Sequence, residues 1–171
     1  EESLKITILT SVAILSAIKS ICNLDVKLKW VNDIILNDLK VGGILCESQI
    51  NLNTNIIDNM IVGIGINVKE FEFPPSLKNI ATSIENNTNI KISRNELISE
   101  IINFFDLYFI DNKNYLDLYK ENSYVLGRDI KVIQNDRQFF AKAIDIDDNG
   151  SLIVQEQEKI IKLISSDISI R

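Results

Sequence analysis

Lys29-Trp30-Val31-Asn32-Asp33 is followed almost at once by Lys40-Val41-Gly42-Gly43-Ile44-Leu45. Two lysines, an aspartate and a glycine pair then share what reads as one β-hairpin. That combination suits a site holding an anion and a nucleotide phosphate side by side. Ammonium groups meet the charge, an aspartate is a natural ligand for a hard cation, and glycine in a strand marks a bulge or a close approach to the backbone. Lys40 opens an apolar strand beside the glycines and can aim its ammonium at a bound anion; the plainer alternative is a lysine guarding a strand edge. Lys29 and Asp33, four apart around Trp30, read equally as a local ion pair of small value, and Asn32 as a turn residue. Four of the six glycines lie in two runs, Gly42-Gly43 and Gly63-x-Gly65. Gly63-Ile64-Gly65-Ile66-Asn67 is not a dinucleotide fingerprint, because it lacks a third glycine and opens no helix.

The elements that must position these residues follow from periodicity. Leu4 to Ile21 reads as a helix, with Ile6, Leu9, Ala13, Ala17 and Ile21 at helical spacing. Val26, Leu28 and Trp30 alternate with lysines as in a strand. Ile34 to Leu36 and Val41 to Cys46 flank Asn37-Asp38, a hairpin turn signal. Asn51 to Asn59 is polar and reads as a loop, and Met60 to Val68 as a buried strand. Pro74-Pro75 keeps Phe71 to Ile80 irregular. Ser93 and Glu96 form a capping box before a helix to about Phe109, with a short helix near Tyr115 to Lys120. After Tyr124 come short strands at Asp129 to Ile133, Phe139 to Ile146, Ser151 to Val154 and Ile160 to Ile164. Asn135-Asp136 and Asp147-Asp148-Asn149-Gly150 separate them as turns. This small β module should pack on the first part, since alone it buries too little.

Composition narrows the chemistry. The chain has no histidine, which removes a histidine general base, the Ser-His-Asp and Cys-His mechanisms and the histidine zinc sites. An enzyme built this way works by positioning and charge stabilisation, the style of phosphoryl and nucleotidyl transfer. The net charge of −6 argues against nonspecific nucleic-acid binding. Two cysteines, Cys22 and Cys46, lack metal-ligand spacing and fit a reduced, cytoplasmic setting; Cys46 reads as a small buried residue. No apolar run reads as membrane-spanning. The start, Glu1-Glu2-Ser3, has neither an initiator Met nor a signal-peptide layout, so a fragment is expected.

The order and spacing of the three motifs resemble the biotin–protein ligase family, whose usual pattern is Lys-Trp-Pro-Asn-Asp, then Lys-x-x-Gly-Ile-Leu, then Gly-x-Gly-Ile-Asn. Val31 stands where proline is usual. Ala81-Thr82-Ser83-Ile84, Gly127-Arg128-Asp129-Ile130-Lys131 and Asp167-Ile168-Ser169-Ile170-Arg171 also fall in the family's order. The resemblance implies an α+β fold. Residues 1–122 would form part of a class II synthetase-like catalytic domain, a mixed sheet backed by helices and N-terminally incomplete. Residues 123–171 would form an SH3-like β-barrel. The implied reaction joins biotin to ATP as biotinyl-5′-AMP, with Mg²⁺, and passes the biotinyl group to a lysine of a biotin carboxyl carrier protein. By resemblance Lys40 is catalytic and faces the biotin carboxylate and α-phosphate, with Gly42 and Gly43 beside biotin. Lys29, Asn32 and Asp33 lie near the nucleotide, Asp33 towards Mg²⁺. Asn67 sits beside the nucleotide, and Lys131 and Arg171 reach across from the module. No membrane or nucleic-acid partner is implied, and a homodimer is left open.

The departure is that the family's glycine/arginine-rich loop has no counterpart among Arg94, Arg128, Arg137 and Arg171. Half an active site is therefore expected, and the chain alone is expected to be inactive. A lipoate–protein ligase relative and a truncated, non-catalytic module that docks a carrier are the rival readings.

Overall fold

The computed structural model describes residues 2–51, 54, 56–110, 114–134 and 137–170. Arg171 and the expected turn at Asn135-Asp136 lie outside the described residues. Helix α1 (Glu2–Cys22) comes first and forms the centre of the core, with Ile8, Val12, Ile14 and Ile18 fully buried. Its buried hydroxyls do not compete with the fold. Thr7, Thr10 and Ser11 each donate to a carbonyl one turn back, at Ser3, Ile6 and Thr7. Asn23, at a φ of +54°, ends the helix and donates its N–H to the Lys19 carbonyl at 3.0 Å. Against the expectation that no apolar run is membrane-spanning, α1, at 21 residues, is long and apolar enough by length and composition to cross a bilayer; 67% of its apolar window is buried inside the fold.

The first sheet has the order β1-β2-β3-β4, with β1 (Lys27–Lys29), β2 (Asp33–Leu36), β3 (Leu39–Asn51) and β4 (Ile56–Ile66). Its strand pairs are all antiparallel, and the parallel component of the expected mixed sheet reduces to two isolated bridges, Leu28 with Ser123 and Lys40 with Ala81. Asn37 and Asp38 both take left-handed φ, 50° and 63°, as a tight hairpin turn matched to strand twist requires. Two expectations fail in this sheet. The polar stretch Asn51 to Asn59 is not a loop throughout: β3 runs to Asn51 and β4 starts at Ile56. The ladder satisfies the backbone there, and Asn59 donates across it to Gln49 at 3.1 Å. Nor is Met60 to Val68 a buried strand. β4 is the edge of its sheet, and Ile61 is 67% exposed. Cys46 is half-buried rather than buried.

Helices α2 (Arg94–Ile110) and α3 (Tyr115–Glu121) pack against α1. The Ser93 hydroxyl accepts from the Glu96 N–H at 3.3 Å, the forward half of the expected capping box. The module contains β5 (Asp129–Gln134), β6 (Arg137–Ile146), β7 (Leu152–Glu156), β8 (Lys159–Leu163) and a strand the sequence reading does not anticipate, β9 (Asp167–Ile170). They are ordered β8-β7-β6-β5-β9. Its apolar face continues the core of α1. Gly150, between β6 and β7, marks the contact: its φ is +84°, and a Cβ there would sit 2.6 Å from Ile8 Cδ1. The Gly150 carbonyl accepts from Trp30 Nε1 at 2.9 Å, which pins the chain just before β2 to the module.

Candidate functional site

One cross-strand row carries most of the charged residues of interest. Lys29 pairs with Asp33, Asp33 with Gly43, and Gly43 with Gly65, so the four residues line up across β1, β2, β3 and β4. Directly opposed residues share a face. The next row on that face is Leu45 opposite Gly63. The register shifts between Ile34 and Ile35, leaving Val41 as an extra residue on β3. Three positions apart on a regular strand, Lys40 and Gly43 would point to opposite faces; the bulge puts them on the same one. The Lys40 side chain lies across Gly43, where a Cβ would meet its Cε and Nζ at 3.3 Å.

Lys40 Nζ contacts Asp33 Oδ1 and Lys29 Nζ lies 3.6 Å from Asp33 Oδ2. Both lysines thus converge on one carboxylate, which offsets their mutual repulsion and leaves a net positive group. Beyond Lys40 the face is bare backbone. Added Cβ atoms at Gly63 and Gly65 would meet only β3 atoms, no nearer than 3.6 and 3.9 Å, and Leu45 beside them is 62% exposed. A flat, partly apolar molecule carrying an anion at one end fits such a surface: glycines for close approach, Leu45 for apolar contact, ammonium groups at the rim. Gly42 belongs to the opposite face. A Cβ there would lie 2.7 Å from the Gly65 carbonyl oxygen, so it is a packing position between strands, distinct from Gly43.

The other expected residues divide. Asn32 behaves as a turn residue: its side chain donates to the Ile44 carbonyl at 3.0 Å and its carbonyl accepts from the Ile44 N–H at 2.9 Å. Asn67 is joined to the Lys40 region, with its N–H on the Val41 carbonyl at 2.8 Å and its amide on the Thr82 carbonyl at 3.0 Å. Lys131 stands on the module, opposite Phe140 and Ser169, and no hydrogen bond or ion pair among the described residues ties it to Lys40. The sequence reading passes over Tyr119, fully buried under Trp30-Val31, with its hydroxyl 3.4 Å from the Val31 carbonyl. Burial, and then the Asp33 charge, push that hydroxyl well above the ordinary tyrosine range. Its only sequence signal is an aromatic residue in a short amphipathic helix, which any core position shares.

The donor set does not fit a resident Mg²⁺. Each oxygen of Asp33 faces a lysine ammonium, and no group of three His, Cys, Asp or Glu residues that could hold a metal occurs among the described residues. A hard cation needs several oxygens, so no step is derived through a protein-held metal.

An α+β unit whose four-stranded sheet presents lysines and glycines, joined to a five-stranded barrel-like module, is the arrangement that the sequence resemblance implies. Comparison with known proteins agrees. Residues 3–67 match the biotin/lipoate A/B protein ligase family, and residues 125–171 match the biotin protein ligase C-terminal domain. The bifunctional ligase/repressor BirA of Bacillus spizizenii is 32% identical over 97% of this chain and 53% of its own length. BirA of Escherichia coli is 30% identical over 85% of this chain and 46% of its own. The apo biotin protein ligase of Aquifex aeolicus superposes with a TM-score of 0.82 at 25% identity, covering 98% of this chain and 75% of that one. The chain belongs to the biotin–protein ligase family. It spans about half the length of these curated relatives.

Proposed function

We propose that this chain supplies the lysine-bearing half of an ATP-dependent biotin–protein ligase. A carboxylate oxygen of biotin attacks the α-phosphorus of ATP, the bond to the β-phosphate bridge breaks, and pyrophosphate leaves. The amine of a carrier-protein lysine then attacks the carbonyl of biotinyl-5′-AMP, and AMP leaves. The observation that carries this reading is Lys40, placed by a bulge over the glycine-cleared face. Two anions must meet in the first step, and a preplaced ammonium offsets their repulsion without reorganisation. Biotin lies along Gly43, Gly63 and Leu45, and Lys40 bridges its carboxylate and the α-phosphate. Lys29, Asn32, Asn67 and, from the module, Lys131 face the nucleotide. Any Mg²⁺ arrives on the triphosphate.

The open side of the sheet bears on completeness. Leu45 and Ile61 are more than half exposed, so the face that would hold biotin has a floor and no roof among the described residues. We infer that residues 1–171 bind ATP without forming the adenylate. The test is pyrophosphate release from ATP and biotin by the purified chain. Release at the no-protein background, with ATP binding detectable by calorimetry, is expected; release above background overturns the half-site reading, and absent ATP binding overturns the ligase reading. A lipoate-directed relative is the second reading, favoured by the breadth of the family matched at residues 3–67.

A further inference from the structure

Residues 80–84 run past Lys40 and Asn67 as an irregular segment, bridged to Lys40 at Ala81 and leading into a 3-10 turn at Glu85–Asn87. Residues 80–85 thread along both. The Lys40 N–H donates to the Ile80 carbonyl at 2.8 Å, and the Thr82 N–H donates to the Lys40 carbonyl at 2.9 Å. On the other side, the N–H groups of Ile84 and Glu85 donate to the carbonyls of Asn67 and Val68 at 2.8 and 3.0 Å. The Thr82 carbonyl then takes the Asn67 side-chain amide. The strap thus braces two site residues that the β3–β4 ladder and the Asn67 N–H on the Val41 carbonyl already bring together.

Its far end is fastened by Glu85, whose side chain is 4% exposed. Glu85 Oε1 accepts from Lys69 Nζ at 2.9 Å and from the Ile92 N–H at 2.8 Å; Oε2 accepts from the Glu70 N–H at 3.3 Å and has Lys91 Nζ at 3.6 Å. Every partner is a donor, which only an ionised carboxylate can satisfy. The Lys69 ammonium first, and then the Ile92 amide, hold its pKa down at about 2. Asn87 reinforces the bend, donating to Thr82 Oγ1 at 2.8 Å and the Ser83 carbonyl at 2.7 Å, and accepting from the Asn37 amide of the β2–β3 turn at 2.8 Å.

We propose that Glu85 is a positioning residue for Lys40 and Asn67: its carboxylate fixes the 80–85 strap, and the strap holds the backbone of both residues in place. What those side chains do rests on the ligase reading above; that Glu85 places them does not. A glutamine at this position keeps the shape but turns an NH₂ towards a ring of donors, leaving at least one bond unmade.

The experiment is amide hydrogen exchange, residue by residue, on the 171-residue chain at neutral pH, with an ATP titration alongside. Glu85→Gln is expected to speed exchange at the Lys40, Thr82 and Ile84 amides at least tenfold, leave Ile130 and Val132 in β5 unchanged, and weaken ATP binding. Lys69→Met, which removes one exposed partner, is expected to do the same more mildly and serves if Glu85→Gln does not fold. Unchanged exchange at Lys40 and Thr82, or a uniform rise that includes β5, overturns the proposal. A wild-type chain that binds no ATP refutes the ligase reading instead and leaves the exchange result to judge Glu85.

Discussion

The two sheets of this molecule are finished in opposite ways. The module's sheet buries Ile130, Val132, Leu152 and Val154 completely, in one core that is continuous with that of α1. The β1–β4 sheet also buries one face, with Ile34 and Val41, but presents the other as a row of lysine, aspartate and glycine. Glycine occurs in both regions for different physical reasons. Gly150 is needed because helix α1 lies against it and its φ is +84°. Gly63 needs neither: its φ lies outside the left-handed region, and a Cβ there would make only ordinary contact with Leu45, no nearer than 3.6 Å. A glycine that packing does not demand, beside paired charges, marks a surface kept clear for something other than the chain itself.

Substitutions at the glycines break or sharpen that contrast. The largest effect is expected at the docked module. Gly150→Ala combines a left-handed φ that costs roughly 1–2 kcal/mol with overpacking against Ile8 that costs about 1–3 kcal/mol. Thermal or denaturant unfolding should therefore show a loss of about 2–5 kcal/mol, and an unchanged midpoint would mean that the module does not dock on α1 as described. Within the first sheet, Gly42→Ala meets the Gly65 carbonyl at 2.7 Å and is expected to cost about 1–3 kcal/mol. Gly63→Ala, with its nearest contact at 3.6 Å, is expected to leave stability within about 0.5 kcal/mol. Equal losses at Gly42 and Gly63 would erase the distinction between a packing glycine and a clearing one.

Much of this was legible in the sequence, and the limits have physical causes. The helix from Leu4 and the hairpin at Asn37-Asp38 follow from local periodicity and turn chemistry, and both are present. The exposure of β4 could not be read, because an apolar run states that a strand can be buried and not whether a neighbour covers it. Lys40 was legible as a residue, but its direction was not, since the bulge at Val41 leaves no mark in composition. Gly42 and Gly43 are adjacent letters on opposite faces, a difference that register alone resolves. Ala81-Thr82-Ser83-Ile84 was legible as a motif but not as a strap, because its pairing is backbone to backbone without alternation; Glu85 was not legible because its partners Lys69 and Ile92 are remote in sequence, nor β9 because four residues carry too little pattern.

The central claim is that Lys40, and not simply the positive charge around Asp33, receives the anion. The direct measurement is the ATP dissociation constant of the 171-residue chain by titration calorimetry, for wild type, Lys40→Met and Lys29→Met, with melting curves to confirm folding. A hydrogen bond to a charged group contributes about 1.5–3 kcal/mol, so Lys40→Met should weaken binding roughly tenfold to a hundredfold. Lys29 reaches Asp33 at 3.6 Å as a partly exposed pair, worth about 0–1 kcal/mol, so Lys29→Met should weaken binding about fivefold at most. Equal losses in the two variants, or wild-type affinity in Lys40→Met, would contradict the account.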